Sequence, residues 1–247
     1  MTSARCAVWV TAKIDPAVLM ERGYVLHHRP YREASVIANL LVDGIGRVDA
    51  VVRLGSGRRS LKSILQPFQP LIFVVSGRHE LKSLSQVEAM APAIPLTGHS
   101  LYAGFYLNEI LMRIIHHGGD ALFFPYHQTL MALADTFAET PLRYFELSLL
   151  EELGAMPSLI QDGHGNALTA ELRYQLLAEQ GFWPVVDHVS RAFHYPGQSL
   201  INLCHRCLTA DDLPVAKRLM RQLLQPLLGD KPLRSRQLFM AQQDTQC

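Results

Sequence analysis

A chain of 247 residues, 49% hydrophobic and 18% charged, carries enough apolar side chain for one large core or two modest ones, which excludes a disordered chain. Four cysteines (Cys6, Cys204, Cys207, Cys247) are too few for a disulfide framework, and no stretch approaches the roughly 20 apolar residues of a membrane span. The net charge of +1 hides a division: residues 1–90 hold 12 Lys/Arg against 7 Asp/Glu, and residues 91–247 hold 11 against 15. Six of those eleven crowd into 217–236, opposed only by Asp230. Segregated positive charge marks a surface for polyanions, although a solvated basic face has the same composition. The apolar run Cys6–Val10 is too short for a signal peptide, so a reducing cytoplasm is the expected compartment.

Residues 1–20 read as an extension before the first strand. The pattern to about residue 90 is then of short β-type runs. Tyr24–Arg29 is a first strand, closed by Pro30, and Ser35–Val42 is a second. Asp43–Gly46 supplies a glycine turn, and Arg47–Leu54 returns as a hairpin. Leu71–Val75 and Leu81–Ala89 complete five strands, with a longer basic connection between the third and fourth. That set suits a small closed barrel such as an OB-fold, and an SH3-like barrel would read almost identically.

From Thr97 the period becomes helical. Leu101–His116 is apolar nearly all round, which predicts a central helix, with Glu109 and Arg113 paired four apart. Thr140 as N-cap, Pro141 in the first turn and Gly154 as the stop frame a second helix, whose stripe is Leu142, Phe145, Leu149 and Leu153. Leu168–Gln180 is expected as a further helix, and Leu213–Leu228 and Leu233–Met240 as the last two, broken at Pro226 and Gly229–Pro232. The fold class is therefore α+β: a small N-terminal β-barrel over 21–90, OB-fold or SH3-like by its strands alone, then an α-helical domain over 95–247.

Several segments are specific enough to resemble a family. Tyr24–Ser35 (YVLHHRPYREAS), the hairpin ending GRVDAVVRLGSG and Leu61–Leu71 (LKSILQPFQPL) are similar to the N-terminal domain of RecO proteins. Leu101–Arg113 (LYAGFYLNEILMR), Leu142–Gly154 (LRYFELSLLEELG) and Gly229–Phe239 (GDKPLRSRQLF) continue the likeness in order along the chain. The resemblance implies an OB-fold, a helical domain and a part in recombinational repair. It implies binding of single- and double-stranded DNA, and annealing of complementary strands. It also implies help in loading the RecA recombinase onto DNA covered by single-strand-binding protein (SSB), with RecR and in some cases RecF. Some relatives carry a four-cysteine zinc module; the corresponding region here, within 159–195, has no cysteine.

The first candidate site is a basic set, Arg29, Arg32, Arg47, Arg53, Arg58, Arg59 and Lys62, on strands and a flexible connection that follow a phosphate backbone without reading bases. Tyr31, beside Pro30 and Arg32, is the best stacking candidate, whereas Phe73 lies in an apolar strand and reads as core. Lys217, Arg218, Arg221, Lys231, Arg234 and Arg236 form a second DNA-binding group. Arg143 falls in the first turn of its helix, where the dipole disfavours a cation and free backbone N–H groups favour an anion. The resemblance suggests that anion: the acidic, apolar C-terminal tail of SSB, received by Arg143 with Arg113.

Cys204-His-Arg-Cys207 lacks a second ligand pair, so no metal and no cofactor is expected. No phosphate-binding GxxxxGK[ST] loop, nucleophile elbow or HExxH occurs, and the neighbours Glu151 and Glu152 splay apart on a helix, so no enzyme is expected. Two other readings fit the residues alone, a protein–protein adaptor and an RNA-binding OB protein.

Overall fold

Alternating apolar side chains fold the first part of the chain into β1 (Glu21–Tyr31), β2 (Ser35–Val42), β3 (Gly46–Arg53), β4 (Pro70–Ser76) and β5 (Lys82–Ala89). The computed structural model describes residues 19–56, 60–185 and 193–243, with side chains as far as residue 239. The strands close into a barrel in the order β1-β2-β3-β5-β4. All its pairings are antiparallel except a short parallel seam from Ala50↔Lys82 to Val52↔Leu84. This is an OB-fold-like barrel. Its interior is filled by Val36, Ala38, Leu40 and Val42 of β2 against Val48, Ala50 and Val52 of β3, with Val25, Leu71, Phe73 and Leu84. Phe73 is core, as its apolar strand indicates. Pro30 does not close the first strand. β1 runs on to Tyr31, because pairing with β4 ends at Tyr24 and beyond it Pro30 pairs only with Val36 of β2.

Among the described residues six α-helices follow: α1 (Gly98–Ile114), α2 (Phe123–Asp135), α3 (Thr140–Glu152), α4 (Gly197–Cys204), α5 (Leu213–Leu228) and α6 (Arg234–Gln243). The central helix α1 buries Ala103, Tyr106, Leu107, Ile110 and Leu111. α2 and α4 have no counterpart in the sequence reading. α2 opens on Leu122 with no side-chain cap, so it lacks the start signal that marks a helix in a sequence. In α3 the cap position falls to Glu139, which makes no capping bond, and Thr140 is already helical. α5 continues through Pro226, which lies exposed in the last turn.

The helix expected over 168–180 is instead a hairpin, β6 (Arg173–Leu177) and β7 (Gly181–Pro184), joined by β8 (His194–Pro196) in the order β7-β6-β8. Glu179 (φ 61°) and Gly181 (φ 82°) reverse the chain, and Tyr174, Phe182 and Tyr195 are buried beneath it. Three buried aromatics outweigh the helical propensity of Leu-Leu-Ala-Glu-Gln.

Outside the barrel's own interior, its outer layer and the helices share a second, larger core. Tyr24, Leu26, Leu41, Phe68, Ile94 and Leu96 pack in the same cluster as α1, α2, α3 and α5. Polar bonds fasten the seam: Asn108 Nδ2 donates to Leu26 O (3.0 Å), and Tyr126 Oη donates to Asn108 Oδ1 (2.6 Å). Tyr24 Oη lies 2.7 Å from His127 Nδ1, and burial pushes the Tyr24 hydroxyl pKa up to about 12.

Candidate nucleic-acid surface and basic cavity

The outer face of β1, β2 and β3 falls into three tiers, set by strand register. Nearest the helices, Tyr24 and Leu41 pair and pack into the shared core. In the middle, Asn39 Nδ2 donates to Asp49 Oδ1 (2.7 Å). At the far end Tyr31, Ser35 and Arg53 form one cross-strand row, and Arg29, Ile37 and Val51 the next. A β-bulge between Val25 and His27 creates this arrangement. Tyr24 faces outward, and strict alternation would carry Arg29 and Tyr31 into the barrel. The extra residue, Leu26, resets the phase and turns both outward.

Arg29, Arg32, Arg53 and Lys62 are exposed, and the Arg32 guanidinium lies 5.1 Å from the Tyr31 ring centroid. Lys62 sits in the short helical turn Leu61–Ser63, where Ser60 Oγ accepts its backbone N–H at 3.4 Å. Arg58 and Arg59 lie outside the described residues.

Arg47 does not belong to this face. Its Nη1 donates to Met112 O (2.8 Å) and Ile115 O (2.6 Å), carbonyls at the C-terminal end of α1, and its Nε is 3.4 Å from Asp49. Only 10% of the side chain is exposed, and its charge meets the negative end of the helix dipole. Arg47 therefore joins barrel to helices and is not part of the exposed basic set.

The C-terminal cations divide as well. Lys217 and Arg221 of α5 and Arg236 of α6 converge with Arg143 of α3 on a cavity of about 410 Å³. Phe137, Leu142 and Phe239 supply its apolar wall; His99, Tyr106, Glu139 and Glu146 complete it. Arg218 lies apart, its guanidinium 4.0 Å from the centroid of Phe193, while Lys231 and Arg234 are exposed.

Arg143 is 6% exposed, and its Nη2 pairs with Glu146 Oε1 at 2.9 Å. Tyr106 Oη donates to the same oxygen. Arg143 Nε and Glu146 Oε2 are buried with no hydrogen-bond partner. Burial pushes the Glu146 carboxyl above its ordinary range, although Arg143, Tyr106 and Arg236 pull the other way. Lys217 Nζ pairs with Glu139 Oε1 at 2.7 Å on the rim. Four cations against two carboxylates leave the cavity positive.

Arg143 offers no free helix-terminus amide, contrary to expectation: its backbone N donates to Glu139 O (3.2 Å), and the cavity's positive charge comes from cations on three helices. Arg113 is no part of the cavity: its guanidinium donates to Lys231 O (2.6 Å) and Pro232 O (2.9 Å). Sequence reasoning also missed His99, Tyr106, Phe137, Glu146 and Phe239. One signal was available, because Arg143 and Glu146 lie three apart beside the apolar stripe of α3, and an ion pair on a buried face calls for explanation.

Among the described residues no three His, Cys, Asp or Glu side chains come together as a metal-ligand set, and Cys204 and Cys207 are free thiols. No helix among them is long and apolar enough to cross a membrane.

An OB-like barrel whose outer layer packs into the core of a helical unit with a basic cavity defines the structural class, and comparison with known families makes it specific. Residues 18–93 match the family described as Recombination protein O N terminal, and residues 95–237 match Recombination protein O C terminal. The chain belongs to the RecO family, and with it to the machinery of recombinational DNA repair. It is 43% identical over 228 residues to the DNA repair protein RecO of Yersinia pestis (strain Pestoides F), and 42% identical to that of Yersinia enterocolitica serotype O:8 / biotype 1B (strain NCTC 13174 / 8081). Each alignment covers 89% of this chain and 93% of the relative.

Proposed function

We propose that this chain is a non-catalytic recombination mediator that holds DNA on the barrel, over 21–90, and the acidic C-terminal tail of SSB in the cavity of the helical domain, over 95–247. It binds single- and double-stranded DNA, anneals complementary strands and, with RecR and in some cases RecF, helps load RecA onto SSB-covered DNA in the bacterial cytoplasm, at the nucleoid. The basic cavity carries this reading. A tail of acidic and apolar residues ending in a carboxylate needs cations beside an apolar shelf, and Arg143, Lys217, Arg221 and Arg236 stand beside Phe137, Leu142 and Phe239. On the barrel face Tyr31 accompanies several cations, which favours phosphate contact over base stacking and so tolerance of both duplex and single strand.

The test is calorimetric binding of a synthetic SSB tail peptide, alongside annealing of naked and SSB-coated strands. Arg143→Ala removes a charge-assisted hydrogen bond and weakens the peptide by about tenfold to a hundredfold. Arg143→Lys restores part of it, because an ammonium lacks the guanidinium fork. Arg221→Ala, at an exposed position with no ion-pair partner among the described residues, checks the cavity without disturbing the pair beneath it. Annealing of coated strands falls in step with peptide affinity, and annealing of naked strands barely changes. Wild-type peptide binding by both Arg143→Ala and Arg221→Ala places the tail elsewhere.

A further inference from the structure

We propose that Glu109 and Arg113 are positioning residues for the cavity: a clasp on α1 that sets α6 so that Arg236 and Phe239 face the bound tail. The proposal rests on the tail-cavity reading above. Neither clasp residue lines the cavity, yet both hold the segment that supplies two of its walls. Arg113 takes the carbonyls of Lys231 and Pro232, as described. Glu109 takes the amides that follow: Arg234 N donates to Oε1 (2.9 Å), and Ser235 N (2.8 Å) and Ser235 Oγ (2.6 Å) donate to Oε2. The two clasp residues are themselves 3.4 Å apart. Leu233, between the two sets of bonds, is 3% exposed and plugs the core.

A helix of 10 residues such as α6 has little stability of its own, and its first amides have no partner within the helix. The Glu109 carboxylate satisfies two of them and opposes the positive end of the helix dipole. Three residues after Arg236, the Phe239 ring stacks on His99 (centroids 6.0 Å apart, planes at 5°) and meets Tyr102 edge-on at 5.6 Å. The helix is thus pinned at its start by the clasp and farther along by an aromatic contact. Arg236 lies between the two anchors, on the cavity side. Releasing the first anchor lets the cation swing away, although no group that touches the peptide has changed.

The experiment is a double-mutant cycle on the full chain, read by calorimetry with the SSB tail peptide. Glu109→Gln keeps the volume but turns one acceptor into a donor facing a backbone N–H. It weakens the peptide by about tenfold, the loss expected when one charged contact is displaced. Arg113→Ala, which breaks the other limb, acts in the same direction. The distinguishing outcome is non-additivity: Arg236→Ala costs much less in the Glu109→Gln background than in the wild type. Arg221→Ala, on α5, costs the same in both. A general loosening of the fold would not single out the α6 cation. Wild-type binding by Glu109→Gln and Arg113→Ala, with Arg221→Ala weakened, refutes the clasp and leaves the tail cavity standing. Full additivity with Arg236 likewise refutes positioning. Wild-type binding by both Arg221→Ala and Arg236→Ala overturns the cavity reading, and the clasp with it.

Discussion

Arg47 and Arg53 bound one strand and are the same residue type, yet one anchors the barrel to α1 and the other faces solvent. The difference lies in what stands opposite each. Arg47 finds two helix-end carbonyls, and removing it leaves both without that donor in a largely desolvated position. Arg47→Ala therefore destabilises the protein by roughly 2–3 kcal/mol, measured by urea unfolding. The log–log salt slope of DNA binding stays at the wild-type value, since no phosphate contact is lost. A shallower slope would return Arg47 to the DNA surface. No feature of GRVDAVVR announces this asymmetry, because the carbonyls at Met112 and Ile115 lie more than sixty positions along the chain. Arg29 and Tyr31 were named from sequence as a basic residue and an exposed ring, but the bulge at Leu26 that turns them outward carries no residue signature.

Among the secondary-structure elements, Gly104 shows packing overruling propensity. A glycine inside a helix ordinarily costs about 0.5–1 kcal/mol relative to alanine. Here a Cβ would sit 2.7 Å from Leu96 Cδ1 and 2.7 Å from Phe68 Cζ, so the glycine lets the barrel's Phe68 lie directly on α1. Overpacking of that kind costs typically about 1–3 kcal/mol. Gly104→Ala accordingly lowers the melting temperature instead of raising it, and a gain in stability would show that Phe68 and Leu96 move aside freely. Strong periodicity and punctuation made β2, β3 and α3 readable almost to the residue, α1 to within three residues, and α5 in its bounds though not in its continuity through Pro226. The elements that escaped are those whose identity depends on a neighbour. α2 has no cap, and β6 and β7 exist because Tyr174 and Phe182 find Tyr195 across the sheet.

For the whole molecule, the barrel keeps an interior of its own, but its outer layer packs with the helices into one shared cluster. Tyr24 meets Phe123 and Tyr126 with ring centroids 5.7 and 5.3 Å apart, and Asn108 ties α1 to the backbone of β1. A barrel that shares its outer layer with the helices loses that layer when they melt. Barrel and helical unit therefore unfold in one transition. Far-UV ellipticity, dominated by helix, and hydrogen exchange at the amides of β2 and β3 give the same urea midpoint. Two separated midpoints would mean that the shared cluster contributes little. By itself the sequence determined the fold class, the order of barrel and helices, the family and a surplus of cations in two regions, because hydrophobic period and motif order are local properties of the chain. Which cations remain free, which are spent on helix ends and ion pairs, and which gather around Arg143 was decided only in the tertiary structure. A guanidinium's role depends on the groups within hydrogen-bonding reach, and the carbonyls that hold Arg47 and Arg113 arrive from 65 to 119 residues away.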